Sequence, residues 1–336
     1  MNAMLMKTDF DAWTGRLVRR LRRPRNTQCI HVLTYHSIAR EDSVFTCGTT
    51  LRLDPAAFER HVDYLAEHCT PIRLSELLAA LARGDRLHQA VVMTFDDGFA
   101  DTMRRAYPVL YRRRIPMTVF PVTSVIGNTD LLWQHKLAWL EAEGHERKVL
   151  EAMQAEGFPS RTDDEPLADY ARRNYRADLP EILEGVLRST GHRGARLAAA
   201  LRPYVEAEDL AEADPEFVEF GNHTHTHAIL SALTPEQQRI EMTTARETLT
   251  ALTGVPPIAL AYPFGLKSHY NADSRRLARE TGHRAALDMR RRINTGFVDP
   301  FELSRKPASC GTHLEFEKMM EDWPENAAAS VPGGDG

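Results

Sequence analysis

Short apolar runs alternate with amphipathic helical patterns along the first third of the chain. The strand-like runs are IHVLTYH at 30–36, AVVMTF at 90–95 and PMTVFPV at 116–122. The helical segments span 55–67, 75–83 and 99–114. Asp54 followed by Pro55 is a typical helix start, and Ser75 is expected to open the second helix. The alternation of strand and helix predicts a parallel sheet with covering helices.

The pattern changes between about 132 and 213, where strand-like runs are almost absent and successive stretches have helical spacing. This segment is predicted to be a helical insertion. Strand signals return at 217–221, in IALAYPFG at 258–265 and in HRAALDM at 283–289. Thr234 is expected to open a long helix and Gly282 to end a later one.

The two ends of the chain differ from its centre. Residues 1–28 place apolar side chains at helical spacing among many arginines, and Pro24 stops the pattern. Such a basic amphipathic helix suits an anionic membrane surface, here the inner one, although it also suits packing on its own domain or a solvated arm. Residues 323–336 are predicted to be disordered.

Composition excludes several classes of protein. The 336 residues carry a net charge of -5, which gives no general attraction to nucleic acid. The N-terminus lacks the apolar core of a signal peptide, and no apolar run reaches the ~18 residues of a membrane span, so a cytoplasmic protein is expected. The four cysteines form no CxxC pair, which argues against a zinc knuckle. The oligomeric state is left undetermined by these features.

Two adjacent carboxylates stand at the end of a predicted buried strand, in TFDDG at 94–98. Aspartate is depleted from strands, and reactive groups collect at the carboxyl ends of parallel strands. Because successive strand residues point to opposite sides, Asp96 and Asp97 are expected to have different roles, one at a cation and one at the reaction. The alternative interpretation is a turn with an aspartate cap on the next helix.

Three histidines alternate with two threonines in HTHTH at 223–227. An extended chain would bring all three to one face, whereas a helical turn would align only His223 and His227. Imidazole is a common zinc ligand, and a catalytic zinc site uses about three protein ligands. One aspartate and two histidines would supply them. An exposed polar segment before a helix is the alternative.

These stretches resemble a known family. TFDDG with the HTHTH segment is similar to the first two motifs of the polysaccharide deacetylases, the NodB-homology group of carbohydrate esterase family four. AYPFG at 261–265 resembles the third motif, and the TYHSI segment is similar to a branch that acts on surface polysaccharides. The resemblance covers roughly residues 30–320. It implies an α/β fold, a distorted (β/α) barrel at 29–322 carrying the helical insertion.

The resemblance also implies chemistry. It implies removal of acetyl from an N-acetylated sugar with one divalent metal ion, for which zinc fits the ligands and cobalt or nickel would also serve. Asp97, His223 and His227 correspond to the metal ligands and Asp96 to the general base. The oxyanion donor of the third motif corresponds to the backbone N–H of Phe264.

Other positions are assigned less directly. Tyr262 and Pro263 of the third motif are expected at the substrate, and His225 is expected to line the site or pack beside it. The third motif often begins with arginine, but here it begins with Ala261. Arg305 is a candidate to hold Asp96 instead, with a surface salt bridge as the alternative. The late leucine-x-histidine motif that supplies the acid is not found, and His36 is the candidate acid or substrate-orienting group.

The predicted function is a metal-dependent hydrolase acting on carbon–nitrogen amide bonds of an N-acetylated saccharide. Without a signal peptide, a nucleotide-linked, lipid-linked or small soluble sugar fits better than a finished polymer. Two alternatives stay open. One is hydrolysis of a non-sugar or cyclic amide on the same barrel, and the other is a carbohydrate-binding pseudoenzyme without catalysis.

Overall fold

The computed structural model describes residues 30–162, 164–292, 294–295, 298–309 and 311–321. The predicted N-terminal helix at 1–28 and the predicted disordered tail at 323–336 lie outside these residues. None of the helices in the described part of the chain has both the length and the apolar character that crossing a membrane requires.

The strands are short except for two long ones at the centre. They are β1 Ile30–Tyr35, β2 Ser37–Ile38, β3 Arg52–Leu53, β4 Thr70–Pro71, β5 Ala90–Asp97, β6 Met117–Pro121, β7 Val218–Phe220, β8 Ala259–Ala261, β9 Ala285–Asp288, β10 Leu303–Ser304 and β11 Lys306–Pro307.

The helices separate most of these strands. They are α1 Pro55–His68, α2 Leu74–Arg83, α3 Tyr107–Arg112, α4 Trp133–Ala142, α5 Glu146–Ala155, α6 Leu167–Arg173, α7 Leu179–Ser189, α8 Gly194–Leu201, α9 Ala207–Ala211, α10 Pro235–Thr253, α11 Ala272–Glu280 and α12 His313–Glu321. A π-helical turn at Thr102–Ala106 leads into α3.

The strands close into a ring. One parallel sheet has the order β11-β1-β5-β6-β7, and a second has the order β10-β9-β8. Asn222 joins β7 to β8, because its N–H donates to Ala259 O at 2.9 Å and its carbonyl accepts from Ala261 N at 2.8 Å. At the other seam, only Arg305 separates β10 from β11. The predicted α/β class and distorted barrel are confirmed, and the carboxyl ends of the parallel strands meet at one rim.

Local sequence signals explain the starts of two long helices. The Asp54 carboxylate accepts from Ala56 N at 2.9 Å, as predicted for a helix that begins at Pro55. Thr234 likewise caps α10. The expectation for Ser75 was wrong, because α2 begins at Leu74 and Arg73 is its N-cap, with the Arg73 N–H donating to Glu76 Oε2 at 2.9 Å. Ser75 therefore lies inside the first turn.

The segment between β6 and β7 contains the helices α4 to α9, so its predicted helical character is confirmed. These helices are packed on the barrel. Trp133 and Leu179 from the helices share one apolar cluster with Leu260 and Tyr262 from the barrel. The helical segment therefore forms a wall that is continuous with the barrel core.

Gly221 allows a close approach beside the histidine segment. A Cβ atom built at this position would lie 2.1 Å from Cε1 of Phe120, whose side chain is fully buried. The Gly221 N–H donates to Val119 O at 2.8 Å, which fixes the backbone in place. No side chain fits at this position without moving the Phe120 ring.

We expect Gly221→Ala to lower the free energy of unfolding by about 1–3 kcal/mol, because it overpacks the core. In a Phe120→Leu background the same substitution should cost less, since the smaller side chain leaves room. Chemical denaturation of the four proteins measures both effects. Gly185→Ala, where a Cβ meets nothing within 4 Å, is the matched control. An equal cost of Gly221→Ala in both backgrounds would contradict the steric explanation.

Candidate active site

Both aspartates at the end of β5 face the same histidine. Asp97 Oδ1 lies 3.4 Å and Asp96 Oδ2 lies 3.7 Å from Nε2 of His223. The expectation that their side chains point to opposite sides was wrong, because Asp97 has φ +65° and leaves the strand conformation. Gly98 follows with φ +72°, so the chain turns sharply directly after the second carboxylate.

The histidine segment is neither a strand nor a helical turn. Thr224 and His227 have φ values of +67° and +60°, which curl the backbone. The rings of His223 and His227 consequently lie 4.8 Å apart between centroids. His225 is turned away, with Nδ1 2.9 Å from Thr123 Oγ1, and it is not among the described residues that line the cavity. The structure therefore brings the two outer histidines together and leaves the middle one outside.

A carboxylate on α10 holds this curled segment. Glu241 Oε2 accepts from the N–H groups of His225 and Thr226 at 2.8 Å each, and Oε1 accepts from Thr226 Oγ1 at 2.7 Å. Thr224 Oγ1 accepts from His227 N at 3.1 Å. These bonds satisfy backbone groups that the irregular chain leaves outside any sheet or helix, and so they stabilise its shape.

The geometry of three ligand-type atoms fits a cation. Asp97 Oδ1 lies 3.4 Å from Nε2 of both His223 and His227, and this buried oxygen has no hydrogen-bond partner within the described residues. Three such atoms bound to a tetrahedral zinc at about 2.1 Å would be roughly 3.4 Å apart. The Nδ1–H of His223 donates to Ala261 O at 2.9 Å, which leaves the lone pair on Nε2.

Burial and charge shift the pKa values of these groups. Burial lowers the pKa of His227 to about 3. Burial also opposes a charged His223, but Asp96 and Asp97 outweigh it and raise the pKa of His223. For Asp97, burial acts against ionisation, and the neighbouring His223 and His227 reverse that effect and lower its pKa. Asp97 is therefore an ionised carboxylate facing two imidazoles.

Asp96 is held by a buried arginine. Nη1 and Nη2 of Arg305 donate to the two oxygens of Asp96 at 2.7 Å each, and Nη1 also contacts Thr94 Oγ1 at 3.2 Å. Arg305 has no exposed surface, which contradicts the alternative of a surface salt bridge. Burial raises the pKa of Asp96, but Arg305 and His223 outweigh burial and the pKa is lowered. The third motif has Ala261 where an arginine is often found, and alanine cannot bind the Asp96 carboxylate. Arg305, at the seam of the barrel, binds it instead.

His36 follows β1 and lines the same cavity as Asp96 and Asp97. Its carbonyl oxygen accepts from Thr102 Oγ1 at 3.2 Å, and the next residue, Ser37, donates from Oγ to Asp101 Oδ2 at 2.6 Å. Burial lowers the pKa of His36, although the carboxylates of Asp97 and Asp96 partly oppose this.

The third motif contributes one side of the site. Phe264 lines the cavity with φ +58°, and its ring lies 4.7 Å from that of His227. Within the described residues, no hydrogen bond from the Phe264 N–H is found. Tyr262 lines the cavity, but its hydroxyl donates to Phe301 O at 3.2 Å. Pro263 is buried and lies outside the lining residues of the described chain.

A cavity of about 800 Å³ opens over these groups. Its far walls come from α4, from the loop before β3 and from α6. Trp133 of α4 donates from Nε1 to His227 O at 3.1 Å, so it packs against the histidine segment. Gln134 lies beside it, with its side-chain amide 2.9 Å from Nδ1 of His227. The volume suits a ligand of one or two sugar units.

Several polar residues at the site were not selected from the sequence. Gln134 and His135 lie in a helix whose pattern indicated only packing, and Glu241 lies in the middle of α10. Asp101 was assigned only to a helix. The sequence signal for such residues is a polar side chain on an otherwise apolar helix face. This signal does not identify the group that the side chain contacts.

The chain belongs to the polysaccharide deacetylase family. The family profile described as "Polysaccharide deacetylase" matches residues 83–161 and 197–286, which together span about half of the chain. YxkH of Bacillus subtilis (strain 168), named as a polysaccharide deacetylase, is 26% identical over 144 residues, which cover 41% of this chain and 48% of that protein. The chain therefore matches about half the length of this curated relative.

Solved structures share the fold. The deacetylase PplD of Streptococcus pyogenes, solved in complex with acetate, aligns with a TM-score of 0.60 and 17% identity over 88% of this chain and 100% of that one. IcaB of Ammonifex degensii aligns with a TM-score of 0.57 and 16% identity over 88% of this chain and 98% of that one. These similarities place the barrel in the NodB type.

We expect Arg305→Met to lower the free energy of unfolding by about 3–5 kcal/mol, because it leaves the buried Asp96 carboxylate without its partner. In an Asp96→Asn background the loss should be much smaller, and urea denaturation measures both. Arg83→Met, which breaks an ion pair with Asp85 whose side chains are 63% and 46% exposed, is the control and should change stability by less than about 0.5 kcal/mol. Equal losses in the two Asp96 backgrounds would show that the pair is not coupled.

Proposed function

We propose that the protein is a metal-dependent N-deacetylase that hydrolyses the acetamide of an N-acetylated sugar. The observation that carries the proposal is the convergence of Asp97, His223 and His227 on one point, with Asp96 beside them and held by Arg305. Membership of the polysaccharide deacetylase family supports the same conclusion. Asp97, His223 and His227 would hold the ion, for which we propose zinc, with cobalt or nickel as substitutes.

A bound dication would act as a Lewis acid on the acetamide carbonyl and would make a water molecule more acidic. Asp96 accepts the proton of the attacking water on a carboxylate oxygen. Arg305 fixes the plane of that carboxylate by its two hydrogen bonds, so the base is oriented before the substrate arrives. The backbone N–H of Phe264 donates to the oxyanion that develops from the acetyl carbonyl.

The leaving amine needs a proton, and we propose that His36 supplies or orients it. His36 lines the cavity with Asp96 and is anchored through Ser37 and Thr102. His36 directly follows β1 and Asp96 lies near the end of β5, and these two strands are neighbours in the sheet.

The substrate class is proposed as a nucleotide-linked, lipid-linked or small soluble N-acetylated saccharide. The cavity is lined by barrel loops and by helices between β6 and β7, and its volume of about 800 Å³ suits a short saccharide. We propose that these helices belong to the deacetylase unit, since they form one wall of the site. The suggested cytoplasmic location and membrane contact stay predictions from the sequence.

We expect removal of metal by a chelator to abolish acetate release from the active sugar, and expect added zinc, cobalt or nickel to restore it. A panel of N-acetylhexosamines, free and carrier-linked, is assayed for acetate and free amine, with allantoin-like cyclic amides assayed for ring opening. Elemental analysis measures the bound ion, which should approach one per chain. Turnover that survives complete metal removal would rule out the proposed mechanism.

Asp96→Asn should abolish turnover while leaving the metal content close to that of the wild type, because Asp96 is the proposed base and not a ligand. Asp97→Asn is the matched neighbouring change, and it should reduce metal content as well as turnover. Acetate release and elemental analysis are measured on the same preparations. Unchanged turnover in Asp96→Asn would remove this residue as the base.

A further inference from the structure

His135 of α4 is a buried histidine that the mechanism above does not use. It is 2% exposed, it lines the cavity, and its ring stacks on Phe45 at 4.6 Å and on Tyr204 at 5.7 Å between centroids. The charges of Asp97 and His36 act on its pKa, so it lies within electrostatic reach of the proposed reaction centre. The stacked Phe45 ring and the polar contact with the Tyr204 hydroxyl restrict rotation of the His135 ring.

The hydrogen bonds around Tyr204 determine which ring nitrogen of His135 carries the proton. The hydroxyl oxygen of Tyr204 accepts from Leu132 N at 3.0 Å. The same hydroxyl lies 2.6 Å from Nδ1 of His135. Burial raises the pKa of Tyr204, so the hydroxyl keeps its hydrogen. That hydrogen is satisfied if Nδ1 accepts it, and the neutral ring then carries its own proton on Nε2.

The second nitrogen of this histidine is left without a partner. Nε2 of His135 is buried and makes no hydrogen bond to any described residue. An unpaired buried N–H costs about 1–3 kcal/mol, and such groups are rare in folded proteins. Burial lowers the pKa of His135 to about 4, with Asp97 opposing and His36 adding to the effect. The ring is therefore neutral near pH 7, and Nε2–H is a fixed donor without an acceptor.

We propose that His135 is a substrate-binding residue whose Nε2–H donates a hydrogen bond to an oxygen of the N-acetylated sugar. This inference rests on the proposed function and extends it, because it assigns a specificity contact to the helices between β6 and β7. A sugar offers hydroxyl and ring oxygens that accept such a bond, and forming it would satisfy the unpaired donor. A neutral imidazole at this position binds and orients the sugar, and it supplies no proton to the reaction.

Two substitutions separate this role from packing. In His135→Asn the side-chain oxygen can accept from Tyr204, but no donor reaches the place of Nε2. In His135→Gln the amide nitrogen can reach that place, but the Tyr204 contact is disturbed. We expect His135→Asn to lower kcat/KM about tenfold with a Tm close to wild type, and His135→Gln to keep most of kcat/KM with a lower Tm. The reverse pattern, with full activity in His135→Asn, would overturn the proposal.

Monodeoxy analogues of the active sugar identify the accepting oxygen. For one analogue, the wild type should lose about tenfold in kcat/KM, and His135→Asn should show no further loss. If every analogue loses the same factor in the wild type and in His135→Asn, then His135 does not contact the sugar.

A measurement that needs no turnover completes the test. In Asp96→Asn protein with ¹⁵N-labelled histidine, NMR should show the Nε2–H tautomer of His135 and a shift of that signal on addition of N-acetylglucosamine oligomers. The Nδ1–H tautomer, or a signal that saturating sugar leaves unchanged, would contradict the proposal. A sugar-induced shift without acetate release from the wild type would support the contact at His135 and reject the deacetylase, so the two failures are distinguishable.

Discussion

The buried ion pair between Asp96 and Arg305 links the closure of the barrel to the candidate active site. Burying two charges is costly, and it is tolerated where the pair is close and well hydrogen-bonded, as these two bonds of 2.7 Å are. Arg305 is the one residue between β10 and β11, and β11 pairs with β1. The last strands of the chain are thus bound to the central strand β5 through its carboxylate as well as through the sheet.

Four residues at the candidate site have a left-handed backbone conformation. Asp97, Thr224, His227 and Phe264 all have positive φ values between +58° and +67°. Residues other than glycine adopt this conformation at a cost of about 1–3 kcal/mol each, and it persists where the surroundings determine it fully. Here the carboxylate of Glu241 accepts hydrogen bonds from backbone N–H groups of the histidine segment. These left-handed conformations direct side chains toward the site. A regular strand or helix would point them in other directions.

The site combines a barrel rim with a wall from the helices between β6 and β7. The rim carries the groups proposed to hold the ion and move protons, and all of these except His36 and Arg305 lie within the regions matched to the family profile. The helical wall carries Trp133, Gln134 and His135, which contact the histidine segment or line the cavity. In the proposed function, the rim performs the hydrolysis and the wall selects the sugar. Such a division would let the wall change without disturbing the chemistry.

The sequence alone determined the features that depend on neighbours along the chain. The Asp54 and Thr234 caps and the alternation of strand and helix are signals within a few residues, and they predicted the parallel sheet and the helical insertion. The distorted barrel and the ligand set of Asp97, His223 and His227 were implied by the resemblance of TFDDG and HTHTH to family motifs. Only the tertiary structure decided that Arg305 pairs with Asp96 across 209 positions, that both aspartates face one histidine, and that His225 turns away. The physical reason is that capping and amphipathic patterns act over one helical turn or one strand. The direction of a side chain at the rim instead depends on individual φ angles and on how the ring of strands closes.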